Sequence, residues 1–383
     1  MLLKSGLSPV SILQHRSTKA DEDVLTKEWE NILSLVFKLA RSGFVCGIRG
    51  ETYPYTLKPE RFARLHITKK CQLRCIHCYA DSGPDSPTTD ELPTTRWKAF
   101  IEDFAKNGGT HLLLTGGEPL LRHDIAELLE CGKKNGLSIR MLTNGLLVPK
   151  YINVLTETLS GIQISLGSPE EKTNDLIRGR GTYKRILQAI DLLIKTPLHV
   201  QVGITAMPQN CHSIENDFLQ FARRYSGTGV KFHIGMGVCR HGRGCEIESE
   251  FDTEQNRFNF LSLLAEANQI PTRKVICETL SCGYCEQIVI GPDGNIYPCH
   301  LLEGSIGHID KMTIQELVPY LRTLSKLHQV SYMETCKGCD LRKVCGGTCR
   351  IVNEKLTGSK LKPVCSEQDQ AEKLRNLVYW ATT

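Results

Sequence analysis

Between residues 63 and 236 of this 383-residue chain, short apolar runs alternate with longer stretches of helical spacing. The runs predict strands over 64–68, 111–115, 138–142, 161–166, 199–205 and 231–235. The intervening periodicity predicts helices over 94–107, 124–135, 149–159, 183–194 and 214–225, with a later one over 252–268. Six such repeats imply parallel strands joined by right-handed crossovers. An open doubly wound sheet and a barrel both satisfy the pattern, and periodicity does not separate them. In a barrel the chemistry gathers at the C-terminal strand ends.

Those ends carry unusual residues. Cys71, Cys75 and Cys78 follow the first run in a C-x3-C-x2-C spacing, Gly116-Gly117-Glu118-Pro119 follows the second, and Asn144-Gly145 follows the third. The chain has 17 cysteines. Its N-terminus lacks the continuous apolar core of a signal peptide, and no apolar run reaches the roughly 18 to 20 residues of a membrane span. A cytoplasmic protein is expected, whose clustered cysteines are metal ligands rather than disulfides. Four thiolates complete a [4Fe–4S] cluster; three leave one iron with an open position. A zinc knuckle or buried thiols would also fit the three-cysteine run taken alone. The net charge of +5 is too weak to argue for nucleic acid.

The C-x3-C-x2-C run together with the GGEP segment resembles the radical S-adenosylmethionine (SAM) enzymes. The resemblance implies an α/β fold, a partial (β/α)6 TIM-like barrel. It implies that Cys71, Cys75 and Cys78 hold a SAM-binding [4Fe–4S] cluster, and that one electron cleaves SAM to methionine and a 5′-deoxyadenosyl radical. Tyr79 would pack against adenine. Gly116, Gly117, Glu118 and Pro119 would meet the methionine amine, and Asn144, Ser165 and Arg178 would complete the SAM contacts. Asn144-Gly145 reads equally well as a plain turn. The family continues its fourth strand with Leu-Asp-Gly, whereas this chain reads Ser165-Leu166-Gly167-Ser168; the acidic residue is missing. Either the loop is shorter or the ribose contact is altered. Arg178-Gly179 and Gly181 keep the family register.

From about residue 271 cysteine and glycine become dense. Gly294-x4-Cys299, Cys336-x2-Cys339-x5-Cys345-x3-Cys349, Cys365 and the upstream Cys282 resemble the SPASM extension, the twin-cluster domain of peptide-modifying members. The resemblance implies two auxiliary clusters. One takes Cys336, Cys339, Cys345 and Cys365. The other takes Cys282, Cys299, Cys349 and Cys277, with Cys285 as the rival fourth ligand or the position left open. Two zinc sites of four thiolates are the alternative. The expected domains are a helical leader or cap over 1–60, with partial peptide recognition in view, the core over 61–270, the SPASM domain over 271–365 and a closing helix over 366–383. Cys239 and Cys245, on the rim after the sixth strand, are weak candidates for hydrogen-atom donation. Arg240 and Arg243 between them are candidates for carboxylate binding, against the alternative of an ordinary structured loop. His66 and His77 fall near the first cluster, His77 as a neighbour rather than a ligand. The expected activity is modification of a ribosomally made precursor peptide, a thioether, C–C or C–O crosslink, with a flavodoxin- or ferredoxin-type reductase as partner. A small-molecule or modified-haem enzyme, a formylglycine maturase, or a non-catalytic iron–sulfur or zinc scaffold are the other readings.

Overall fold

The computed structural model describes residues 59–235, 238, 241–247, 260, 263–264, 266–268, 281–339, 341–366 and 369–370. The leader region up to residue 58, Cys46, Cys239, Arg240, Cys277, and most of the helices expected over 252–268 and 366–383 lie outside the described residues. The chain forms two compact units. One comprises Leu57–Pro271 with Gly283–Ser325; the other comprises Met1–Thr56, Thr272–Cys282 and Lys326–Thr383.

The first unit is built on one nine-stranded sheet. Its parallel strands are β1 (Phe62–His66), β2 (His111–Thr115), β3 (Ser138–Thr143), β4 (Gly161–Leu166), β5 (His199–Thr205) and β6 (Lys231–Gly235). They lie side by side in chain order. The crossover helices are α1 (Thr94–Lys106), α2 (Ile125–Lys134), α3 (Val148–Thr158), α4 (Glu171–Arg178), α5 (Thr182–Leu193) and α6 (Cys211–Arg223). Helix α4 was not expected. Its sequence, EKTNDLIR, has too few apolar residues for a periodic signal. Polar side chains hold it instead: Asp175 accepts from the N–H groups of Gly181 and Tyr183, and Glu170 N–H donates to the buried Ser168 hydroxyl.

The cysteine-rich region continues this sheet. Strand β7 (Ile288–Ile290) pairs parallel with β1, placing Ala63 opposite Ile288, and β8 (Asn295–Tyr297) and β9 (Gly307–His308) follow antiparallel. Three-residue strands are too short for a period-2 signal, so the sequence reading missed them. The sheet stays open, with β6 and β9 at its two ends.

Alternation gives the sheet two faces. Leu65, Leu112, Leu114, Ile139, Met141, Ile162, Ile164 and Val202 are almost wholly buried on one face. Trp97, Phe104, Leu128, Leu155, Ile190 and Phe218 of the crossover helices are buried as well. Each such side chain contributes roughly 1.5–3 kcal/mol of burial. The alternating positions on the other face are largely polar: Arg64 and His66 on β1, Thr115 on β2, Arg140 on β3, Gln163 and Ser165 on β4, Gln201 and Thr205 on β5.

In the second unit the described residues form α8 (Arg342–Cys345) and α9 (Arg350–Thr357) with 3-10 turns at Val330–Tyr332 and Cys336–Gly338. The helix α7 (Ile314–Leu327) ends where this unit begins. Among the described residues of this unit the buried apolar side chains are Val330, Met333 and Ile351. The wholly buried Arg350 takes their place as organiser. Its guanidinium donates to the carbonyls of His328 (2.7 and 2.9 Å), Gly346 (3.0 Å) and Thr348 (2.7 Å).

Candidate active site

The three-cysteine loop leaves the C-terminal end of β1 and is pinned along its length. Cys71 N–H donates to the Gly83 carbonyl at 3.1 Å and Cys78 N–H to the Cys75 carbonyl at 3.2 Å. Two of the thiols are already solvated by the protein. Cys71 Sγ accepts from Leu73 N–H at 3.4 Å and from Asn144 Nδ2 at 3.8 Å. Cys75 Sγ accepts from Arg178 Nη1 at 3.8 Å. Asn144 comes from the end of β3 and Arg178 from the end of α4, so two crossover units converge on this one loop. Burial pushes the Cys71 thiol up to about 11, and the neighbouring Glu118, Cys75 and Cys78 add to the shift. Cys75 is raised for the same first reason, opposed by Arg178. Cys71 and Cys75 therefore resist ionising without a cation beside them. A metal group would relieve that resistance and release their protons.

The GGEP segment crosses against this loop with almost no space between. Gly117 N–H donates to the Thr68 carbonyl (2.7 Å) and Glu118 N–H to the Lys70 carbonyl (2.8 Å). A Cβ on Gly116 would lie 2.4 Å from Thr68 O, and one on Gly117 would lie 2.4 Å from Lys70 O. Gly116 also has φ +142. Both glycines are therefore needed for the crossing itself. The Glu118 carboxylate is wholly buried and accepts from Leu120 N–H (3.1 Å), Thr143 Oγ1 (2.7 Å) and Asn144 N–H (2.8 Å). Burial outweighs these donors and pushes its pKa up to about 7. An ionised carboxylate has roughly four acceptor sites, so room remains for an ammonium. Pro119 opens the 3-10 turn that Glu118 caps.

The loop after β6 closes on the cysteine loop from the other side. Arg243 donates from Nε to the Cys75 carbonyl (2.9 Å), from Nη1 to Asp81 Oδ1 (2.6 Å) and from Nη2 to the Ser82 carbonyl (2.8 Å). Gly242, at φ +55, would place a Cβ 2.5 Å from Cys78 O. Arg243 thus uses one N–H from each of its three nitrogens on the cysteine loop, in keeping with the alternative of an ordinary structured loop. Cys245 is exposed on this segment.

Tyr79 sits edge-on to His66 at 6.4 Å between ring centroids and edge-on to His300 at 5.8 Å. His66 is 1% exposed. Burial, with the Arg64 charge nearby, holds it neutral, its pKa pushed down to about 3. His77 is likewise driven neutral by burial, with Arg178 and Arg243 adding to the effect. Ser165 lies half-buried at the end of β4, opposite Gly203. The short loop after it is tied down by Gly167 N–H donating to Asn174 Oδ1 and by Asn210 Nδ2 donating to the Gly167 carbonyl. Sequence reasoning missed Arg122. Buried against Asp124, it donates to the Ile67 carbonyl at 2.8 Å and so fixes the chain just ahead of Cys71. The Arg-x-Asp spacing directly after GGEP was the available signal.

In the second unit Cys336, Cys339, Cys345 and Cys365 line one small cavity, with Arg342 and Gly347 beside them. Cys349 caps α9, and its thiol hydrogen-bonds the Cys282 thiol, which with burial raises the Cys282 pKa. Cys285 and Cys299 belong to the first unit. Cys285 is wholly buried at φ +59, its N–H donating to the Pro298 carbonyl at 2.7 Å. Among the described residues no three His, Cys, Asp or Glu side chains are drawn together as ligands of a single ion would be.

Residues 65–221 match the radical SAM superfamily and residues 282–340 match the SPASM iron–sulfur cluster-binding domain. The chain belongs to the radical SAM enzymes that carry a SPASM domain. It is thus an enzyme that uses SAM and iron–sulfur clusters. It is 27% identical to the AdoMet-dependent heme synthase of Methanosarcina barkeri, over 80% of this chain and 96% of that one. It is 26% identical to the antilisterial bacteriocin subtilosin biosynthesis protein AlbA of Bacillus subtilis, over 82% of this chain and 73% of that one. Its fold matches Streptococcus suis SuiB bound to S-adenosylmethionine with a TM-score of 0.61 at 15% identity, covering 96% of this chain and 87% of SuiB; SuiB has also been solved with its precursor peptide SuiA. Among the described residues no helix is long and apolar enough to cross a membrane.

Proposed function

We propose that Cys71, Cys75 and Cys78 hold a [4Fe–4S] cluster with one iron free for SAM. Gly116, Gly117, Glu118 and Pro119 then form the cofactor's seat with Tyr79, Asn144, Ser165 and Arg178. One observation carries this reading: donors from Leu73, Asn144 and Arg178 already point at the Cys71 and Cys75 sulfurs, as a thiolate-bound cluster requires. When bound, cluster and SAM together supply reductive carbon–sulfur cleavage and a carbon radical able to take a hydrogen atom. The chain's own work is to orient and to shield. Glu118 offers a buried acceptor to an ammonium, the two glycines let the backbones cross, and Arg243 with Gly242 holds the cysteine loop shut against the rim.

Cys336, Cys339, Cys345 and Cys365 are the ligands of one auxiliary [4Fe–4S] cluster, and Cys282 with Cys349 contribute to a second, making three in all. Hydrogen bonds and local charge set their potentials.

The substrate class is a ribosomally made peptide, in which the enzyme installs a crosslink while a small redox protein of the reducing cytoplasm delivers the electron. Relatives of the AlbA and SuiB kind support this. The high coverage of the heme synthase favours one second reading, action on an iron porphyrin. Both are tested in one experiment. The anaerobically reconstituted chain is given SAM, a strong reductant, and either a candidate precursor peptide or an iron porphyrin. Loss of two hydrogens per crosslink in the peptide's mass, at the expense of one SAM each, supports the first reading; mass change in the porphyrin alone overturns it.

A further inference from the structure

The polar face of the sheet carries a cation that none of the chemistry above uses. Arg64 lies midway along β1, and its Nε is buried without a hydrogen-bond partner. Among the described residues no carboxylate forms an ion pair with it, and its register partners are the apolar Leu113 and Val289. Two residues further along, on the same face, His66 is buried with neither ring nitrogen partnered. The edge-on contacts of Tyr79 link His66 to His300, which extends the group into the loop after β8. Each member is a potential donor, and Arg64 and His66 sit on the strand that leads directly into the three-cysteine loop.

Arg64 is only half-buried, but a guanidinium whose Nε is held from water without a partner carries a cost that an anion at the fork would remove. The unpartnered, buried His66 imidazole adds to that cost. Such costs persist where a ligand removes them. The guanidinium fork matches a carboxylate bidentately, better than a point charge would. The groups that face Arg64 are Tyr79 and Cys299, and neither is a carboxylate.

We propose that Arg64, flanked by His66 and His300, is the receptor for a substrate carboxylate on the polar face of the sheet. The inference deepens the reading of the preceding section: it requires the substrate to carry a carboxylate near the atom that reacts. The same chemistry occurs in an acidic peptide side chain and in a porphyrin propionate.

The test uses two matched pairs of probes on the full-length reconstituted chain with SAM. One pair is a blocked peptide containing Glu and its Gln counterpart. The other is an iron porphyrin with two propionates and its dimethyl ester. Equilibrium dialysis is expected to give the charged member of at least one pair a tenfold or greater advantage. In Arg64→Gln the advantage should collapse to about one while affinity for the neutral member is kept, which also reports an intact fold. Arg64→Lys should keep part of it, because the charge remains while the fork is lost. Selectivity in the porphyrin pair alone supports the carboxylate receptor and sinks the peptide reading. Two results overturn the receptor itself: no charge preference in either pair, or a preference that survives in Arg64→Gln. A survival accompanied by a change in the iron–sulfur absorption spectrum would assign Arg64 to the neighbouring Cys299 instead.

Discussion

The two cysteine sites are held in opposite ways. The first three cysteines occupy one eight-residue loop laid over a finished scaffold. Behind the loop, Leu65, Ile67, Leu112 and Leu114 are buried to within about 1%. In front of it Arg122, Glu118, Asn144, Arg178 and Arg243 reach in from separate segments. The four cysteines around the second-unit cavity are spread from 336 to 365 over short turns and one four-residue helix. Among the described residues of this unit the buried apolar side chains are Val330, Met333 and Ile351, and Arg350 holds the turns by their carbonyls. Ligation of the clusters proposed above would add stability to these turns. The first site rests on the sheet, whereas the second unit is expected to draw on its proposed clusters for stability.

The largest expected effect separates the sites chemically. Cys75→Ala should lower SAM cleavage at least a thousandfold, about 4 kcal/mol of barrier. Iron should fall by about four of about twelve atoms per chain, as each cluster carries four. Quantitative 5′-deoxyadenosine release with iron analysis checks both. Loss of all the iron would break the contrast by making the second unit depend on the first site. The next effect is structural. Removing iron with a chelator should open residues 326–370 to hydrogen exchange and proteolysis while β1–β6 stay protected. Equal loss of protection in both regions would show that the sheet, too, needs its metal.

How far each region was legible in the sequence follows the same division. Strands 111–115, 161–166, 199–205 and 231–235 match the observed bounds because buried apolar residues recur along them, at every second position in Ile162 and Ile164, in Val200, Val202 and Ile204, and in Phe232 and Ile234. Helix α4 and strands β7–β9 were not legible, since polar capping and three-residue pairings leave no period in a sequence. At the first site the residue types were readable but their partners were not. Gly116 and Gly117 were chosen for a ligand's approach, yet the atoms that would strike their Cβ positions are Thr68 O and Lys70 O. Arg243 looked free because nothing in the sequence brings residue 75 near residue 243. In the second unit the cysteine spacing was readable, whereas Arg350 passed unnoticed beside Cys349, because arginines bound to carbonyls carry no motif.

Glu118 tests the barrel's grip on its own loops. Its carboxylate ionises with difficulty in the folded chain, with a pKa raised from 4.5 to about 7. A raised carboxylate pKa means that the folded state holds a proton which the unfolded state has already lost. The stabilisation is complete below about pH 4.5 and disappears as pH climbs to about 7. Glu118→Gln has no such proton. The stability of the cluster-free parent, measured relative to Glu118→Gln, should therefore fall by about 3 kcal/mol between those pH values and then level off. Denaturant titrations of both chains at several pH values check the window. A flat difference would mean that the three donors to the carboxylate balance its burial, and a difference that rises with pH would mean that they outweigh it.

Arg243→Ala probes the clamp at smaller cost. Three bonds are lost, one to Asp81 and two to carbonyls. Two of the three are part-buried, so about 2 kcal/mol is expected, read as faster iron loss from the first site alone. The smallest effect lies on the same loop. Arg74 and Asp85 form a close ion pair, yet their side chains are 59% and 82% exposed. A pair so fully in water gains little Coulomb energy and is screened by salt. Asp85→Asn should shift stability by no more than about 0.5 kcal/mol and leave iron retention unchanged. If it loosened iron as much as Arg243→Ala, the loop would be held from its solvent side as firmly as from the rim, and the picture of a site fastened from within would fail.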